Sequence, residues 1–197
     1  MRLVIIDSGG ANIASLRFAF ERLKCAPIVS ADRDTVRNAT HVVLPGVGAA
    51  DDAMARLRRA GLVDVVPALR QPVLGICLGM QLLFERSDEG ATTCLGAIPG
   101  SATRMRAEPD RPVPHMGWNQ LRIERNGRLL DRVESGEYAY FVHSYAVAVG
   151  TATVASCNYG RDFSAVVERD NFLGTQFHPE RSAATGARIL ANFLSLA

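Results

Sequence analysis

No stretch of this sequence is apolar for long enough to cross a membrane, and the run Leu3 to Ile6 is too short for the core of a secretory signal. Pro/Gly/Ser-rich linkers, internal repeats and low-complexity segments are missing too. Its 197 residues, 48% of them hydrophobic, are therefore expected to form one domain over 1–197 with a sizeable core. Charge of one sign is scarce: the formal net charge is +2, with arginines scattered among acids, so no electrostatic footprint for nucleic acid is evident. Cys25, Cys77, Cys94 and Cys157 lie far apart with no C-x-x-C spacing, which argues against a zinc site or a thioredoxin-type centre. Cys25, Cys94 and Cys157 read as small core or surface residues. The expectation is a cytoplasmic protein with no membrane or nucleic-acid partner, no metal and no cofactor.

What is present is one cysteine between two glycines. In Pro72-Val73-Leu74-Gly75-Ile76-Cys77-Leu78-Gly79-Met80-Gln81, the residues Val73, Leu74 and Ile76 read as a buried strand, and Leu78, Gln81, Leu82 and Phe84 carry helical spacing onward. A sharp strand-to-helix turn that presents a nucleophile needs small neighbours on either side, as in G-x-S-x-G elbows, and a helix N-terminus favours thiolate. Taken alone, Gly75-Ile76-Cys77-Leu78-Gly79 is read equally well as a buried cysteine in a turn. A second segment, Gly174-Thr175-Gln176-Phe177-His178-Pro179-Glu180, shifts the balance. In an extended chain residues i and i+2 point the same way, so Glu180 can orient the imidazole of His178. A cysteine attacking a carbonyl needs a base whose tautomer a third group fixes, and Cys77, His178 and Glu180 supply those roles.

The coarse pattern alternates strand and helix through the first half. Strands are expected at Leu3 to Ile6, Pro27 to Val29, His41 to Leu44 and Val73 to Ile76. Helices are expected at Asn12 to Leu23, Asp32 to Asn38, Asp51 to Arg59 and Leu62 to Leu69. Beyond Gly100 strand pieces dominate: Gln120 to Ile123, Tyr140 to His143, Thr151 to Ser156, Ala165 to Glu168 and Phe172 to Gln176, before a closing helix at Ser182 to Leu196. The fold class is α/β, a mostly parallel central sheet with helices on both faces and additional antiparallel strands, flavodoxin-like, with ligands at the carboxyl ends of the parallel strands. Another such end carries Leu44-Pro45-Gly46-Val47-Gly48. Its glycines let amides approach a ligand, so this segment can offer N–H donors to an oxyanion beside the Leu78 N–H, although an ordinary loop reads the same way. A P-loop does not fit, because its Lys-Ser/Thr pair is missing.

These two motifs together resemble the class I, triad-type glutamine amidotransferases. Further segments resemble the members of that family serving histidine biosynthesis: Ile6-Asp7 with Asn12-Ile13, Leu44 to Gly48, Gly96-Ala97-Ile98-Pro99-Gly100, Pro114-His115-Met116-Gly117-Trp118-Asn119 and Tyr140-Phe141-Val142-His143-Ser144-Tyr145. The resemblance spans nearly the whole chain. It implies hydrolysis of L-glutamine through a thioester on Cys77, with His178 and Glu180 completing the triad and Val47, Gly48 and Leu78 forming the oxyanion hole. It also implies that Gly46, Gln81, Ser144 and Tyr145 hold the substrate. The implied partner is a separate (βα)₈-barrel cyclase subunit, bound as a heterodimer through Asn12, Met116, Trp118 and Arg181, that receives the ammonia. The chain departs from the family pattern at Asp7-Ser8-Gly9-Gly10-Ala11-Asn12, where a tyrosine is usual after the aspartate. It departs again at Arg181, where lysine is usual. Two other readings stand beside this one: a cysteine hydrolase of similar fold acting alone or in another synthase, and a binding subunit that kept the fold without catalysis.

Overall fold

The computed structural model describes residues 1–7 and 13–197. Strand and helix alternate as the sequence leads one to expect: β1 (Leu3–Ile6), α1 (Ile13–Arg22), β2 (Ile28–Ser30), α2 (Arg33–Arg37), β3 (His41–Gly46), α3 (Ala50–Arg59), β4 (Val73–Cys77) and α4 (Leu78–Leu82). Every residue of β1 is buried, and successive side chains enter different cores. Leu3 and Ile5 join one hydrophobic cluster while Val4 and Ile6 join the other, as befits a strand covered on both faces. On α1 it is Leu16, Ala19 and Phe20 that are buried, with Ile13 and Leu23 packed at the cluster's edge. Asp32 caps α2, its Oδ1 accepting from the Thr35 amide at 2.7 Å.

The segment Leu62 to Leu69 is not a continuous helix. It forms turns closing on a short 3₁₀ turn at Val66–Ala68, because Pro67 has no N–H to extend a helical ladder. Its apolar residues still face the core, so the spacing reports burial correctly while the backbone takes another form.

The second half supplies β5 (Arg86–Ser87), β6 (Thr92–Thr93), β7 (Ser101–Arg104), β8 (His115–Gln120), β9 (Arg122–Ile123), β10 (Tyr138–His143), β11 (Tyr145–Val147), β12 (Thr153–Tyr159), β13 (Arg161–Arg169) and β14 (Phe172–Thr175), then α5 (Ala183–Leu194). The expected strand from Gln120 to Ile123 is divided between β8 and β9 at Leu121. The main sheet has 8 strands in the order β2-β1-β3-β4-β14-β13-β12-β9. From β2 to β14 neighbours are parallel, and from β14 outward they are antiparallel. The parallel part has the flavodoxin-like order, and it places the carboxyl ends of β3, β4 and β14 side by side. A separate ribbon of β8 and β10, paired antiparallel, lies over that end. Among the described residues no helix is long and apolar enough to cross a membrane.

Candidate active site

Cys77, where β4 becomes α4, adopts φ 54° and ψ −112°, a conformation that a residue with a side chain holds only when its surroundings enforce it. The enforcement comes from close packing. A Cβ on Gly75 would lie 2.7 Å from the Gly79 carbonyl oxygen, and one on Gly79 only 1.8 Å from the Leu44 carbonyl oxygen. The flanking glycines therefore serve backbone approach, while the positive φ falls on the cysteine itself. Sγ of Cys77 lies 3.6 Å from the Val142 carbonyl oxygen and 3.9 Å from Nε2 of Gln176.

His178 follows β14 and is fixed to β10 through its backbone. Its N–H donates to the Tyr140 carbonyl at 3.0 Å, and the Ser182 hydroxyl donates to the His178 carbonyl at 2.7 Å while accepting the Tyr140 N–H at 2.9 Å. Nδ1 lies 2.9 Å from Oε1 of Glu180. The backbone route to that contact differs from the extended one expected: Pro179–Arg181 forms a 3₁₀ turn and His178 alone is extended before it. The turn brings the carboxylate back to Nδ1 at the ring's edge. Burial by itself would lower the pKa of His178. The hydrogen bonds to Cys77 and Glu180, with the attraction of their negative charges for the imidazolium, override it and raise the value to about 10. With Nδ1 engaged by Glu180, Nε2 is the nitrogen left to exchange a proton with sulfur. Oε2 of Glu180 is buried with no hydrogen-bond partner among the described residues.

Cys77 and His178 open onto one cavity of about 310 Å³, large enough for an amino acid. Val47, Gly48, Leu78, Gln81, Ser144 and Tyr145 are in its wall. Gly46 is not. It packs behind the elbow, where a Cβ would sit 2.7 Å from the Gly79 amide nitrogen, so its service is to let β3 approach α4. Gln81 is buried, and its amide nitrogen donates to the Tyr145 carbonyl at 2.8 Å and to Oε1 of Gln176 at 3.0 Å. Its carbonyl oxygen is what remains for a ligand. Met116, Trp118 and Arg181 are exposed, and Asn12 lies outside the described residues.

The wall also holds residues to which sequence alone assigns no role: Glu89, and Pro114, Val142 and His143 from within quoted motifs. Glu89 is the acid of this lining. Burial raises its pKa, partly countered by the Ala50 amide that donates to Oε2 at 2.8 Å, with Asp51 raising it further. It arrives on a 3₁₀ turn, Glu89–Ala91, with no periodicity to announce it. Gln176 and His143 sit inside quoted motifs, and only the hydrogen bonds single them out.

Comparison with known proteins gives this geometry its relatives. Residues 4–196 match the family model described as glutamine amidotransferase class-I. A protein of Xylella fastidiosa strain Temecula1 called "Imidazole glycerol phosphate synthase subunit HisH" is 52% identical over 194 residues, which cover 98% of this chain and 97% of that one. Proteins of the same name from Xanthomonas campestris pv. campestris strain 8004 and Shewanella sediminis are 52% and 49% identical, covering 98% of this chain and 97% and 90% of theirs. Among solved structures, a glutamine amidotransferase aligns with TM-score 0.76 at 16% identity, covering 98% of this chain and 97% of that one. A glutamine amidotransferase from Thermotoga maritima gives 0.61 at 15%, covering 98% and 82%. At those identities the structural likeness speaks to the fold alone.

Proposed function

Since the chain belongs to the class I glutamine amidotransferase family, we propose that the cavity beside Cys77 is where it hydrolyses L-glutamine to L-glutamate and ammonia, as the glutaminase subunit of imidazole glycerol phosphate synthase in histidine biosynthesis. The observation that carries the site assignment is the meeting of a strained cysteine with a carboxylate-oriented imidazole in one amino-acid-sized cavity.

In this reading the Cys77 sulfur attacks the side-chain amide carbon of glutamine. The oxygen of that carbonyl takes up the electron pair and is met by amide donors. Leu78 opens α4, so its N–H has no acceptor within the helix, and Val47 and Gly48, in the wall of the same cavity, supply further amides. His178 passes its proton to the departing nitrogen, which leaves as ammonia, and a γ-glutamyl thioester remains. Water, deprotonated by His178, then attacks the thioester carbon, and glutamate departs as sulfur regains its electron pair. Glu89 and the carbonyl oxygen of Gln81 are acceptors suited to the substrate's ammonium group.

The ammonia goes to a (βα)₈-barrel cyclase subunit, which makes imidazole glycerol phosphate and aminoimidazole carboxamide ribotide. A docking face for it is supplied by the outward side of the β8/β10 ribbon, where Met116 is 63%, Trp118 52% and Tyr138 52% exposed. Trp118 meets Tyr140 edge-on at 5.8 Å, and the Arg181 guanidinium lies over the Tyr140 ring at 4.9 Å. Val142 and His143 of the same ribbon line the cavity, so the partner face and the site share one element. The free thiols of Cys25, Cys94 and Cys157 suit a reducing compartment such as the cytoplasm.

The test is glutamate release by the chain alone, with the cyclase subunit, and with both the cyclase subunit and the nucleotide it converts. Low activity alone and a large rise in the complex are expected. Reorienting one oxyanion amide is worth roughly 10²–10³ in turnover, and Gly48 at φ +87° stands beside such a peptide. Full activity alone, indifferent to the partner, would favour a stand-alone hydrolase.

A further inference from the structure

The two faces of the β8/β10 ribbon carry different residues. Outward stand Met116, Trp118 and Tyr138, while His115, Ala139, Phe141 and His143 are buried on the inward face. His115 and His143 are register partners, and Nδ1 of His115 lies 3.0 Å from Nε2 of His143. Nδ1 of His143 in turn lies 2.8 Å from the Tyr145 carbonyl oxygen. A carbonyl can only accept, so this Nδ1 carries the proton. Nε2 of a neutral His143 then accepts, and His115 must donate from its own Nδ1. Nε2 of His115 faces the Asn119 amide nitrogen at 3.4 Å, which also donates to the Asn158 carbonyl at 2.9 Å. One assignment satisfies every atom of the chain. It requires uncharged rings, and burial supplies them: His115 is lowered to about 4, and His143 to about 3 with further repulsion from His115 and His178.

The chain does not stop at the ribbon. The Tyr145 carbonyl accepts a second hydrogen bond from Gln81, Gln81 donates to Gln176, and Gln176 reaches Cys77. His115 itself is not in the cavity wall. It is stacked between Phe141 and Tyr159, with ring centroids at 5.0 and 4.0 Å, a slot that suits an apolar ring at least as well. A buried imidazole is costly there unless its nitrogens are used, and here both are.

We propose that His115 and His143 are positioning residues for the glutamine site, fixing the Tyr145 carbonyl and through it the Gln81 amide, so that the Gln81 carbonyl oxygen faces the substrate. The inference rests on the glutaminase reading above. It gives the inward face of the ribbon a function matched to its outward one, since a shift of the ribbon is transmitted to Gln81 through hydrogen bonds of fixed direction.

The experiment is steady-state glutamine hydrolysis by the complex with the cyclase subunit, comparing wild type, His115→Phe and His115→Gln. Phe keeps the stacking and removes the donor, whereas Gln keeps a donor toward His143. The expected result is a KM for glutamine raised roughly 5- to 150-fold in His115→Phe, with a smaller change in kcat, and most of it restored in His115→Gln. A silent wild-type complex would refute the glutaminase reading itself. An active wild type with an unchanged KM in His115→Phe, or equal losses in the Phe and Gln variants, would overturn the positioning role. Nitrogen-15 NMR of the wild-type imidazoles at pH 7 tests it without any variant: His143 in the Nδ1–H form supports the chain of donors, and the Nε2–H form contradicts it.

Discussion

His178 and His143 line the same cavity and both are largely withdrawn from water, but one is held at about 10 and the other at about 3. Burial pushes each of them down, so burial cannot be what separates them. The difference lies in what faces the ring. His178 has the Cys77 sulfur and the Glu180 carboxylate, groups that reward a positive charge, whereas His143 has a carbonyl and another imidazole, which reward only a directed N–H. On the proposed reading, one ring is set up to carry a proton to and fro, and the other to hold a geometry.

Removing the sulfur should have the largest effect. In Cys77→Ala glutamine hydrolysis should fall to background, because the nucleophile is gone, while synthesis by the complex from added ammonia persists. Glutamate release at the normal rate would show the nucleophile to be elsewhere. Removing the ring comes next: His178→Ala should lower kcat by about 10²–10⁴, the range of a lost general acid and base, with the loss from Glu180→Gln smaller because the carboxylate orients and does not transfer. Comparable, negligible losses in a kinetic assay would dissolve the triad.

The glycines of the elbow and of the facing loop differ in the space around them. Gly79→Ala puts a Cβ 1.8 Å from the Leu44 carbonyl and should cost about 1–3 kcal/mol or more in urea unfolding, since β3 and the elbow must part. At Gly48 nothing lies within 4 Å of a built Cβ, so Gly48→Ala should cost only the positive-φ penalty, about 1–2 kcal/mol. Equal costs would mean that the elbow is less tightly packed than its distances say.

A further effect concerns pH. His115 and His143 titrate lower in the folded chain than the ordinary 6.5, so below pH 6.5 the unfolded chain binds more protons. Their contribution to stability is full above about 6.5 and is lost progressively as pH falls toward 4 and 3. His178 works the other way. Its raised value adds stability that is full below about 6.5 and lost as pH rises through about 10. Urea melts of His115→Phe between pH 4 and 7 should therefore show a shallower acid loss than wild type.

How much of this could be read from the sequence depended on whether a feature is local. The elbow was legible because Gly75, Cys77 and Gly79 are neighbours in the chain, and a strand-to-helix turn leaves few residues that fit it. The His178–Glu180 contact was legible for the same reason, even though a 3₁₀ turn and not an extended chain makes it. The strand at Leu3 to Ile6 and the short helix after Asp32 were equally local. The helix expected at Leu62 to Leu69 failed because apolar spacing survives in turns that Pro67 will not let become a helix. Glu89, Gln176 and His143 stayed hidden for a different reason. Each matters through a partner far along the chain, Ala50, Gln81 and His115 respectively, and such pairings exist only once the sheet and the ribbon are assembled.

One measurement bears on the central contrast most directly: nitrogen-15 NMR titration of the histidine side chains in the folded protein, repeated in Cys77→Ala. His178 is expected to stay protonated through neutral pH and to titrate at a clearly lower pH once the sulfur is removed, while His143 remains neutral down to about pH 4 in either protein. A His178 that titrates near 6.5 with Cys77 in place, or a His143 that takes up a proton there, would contradict that contrast.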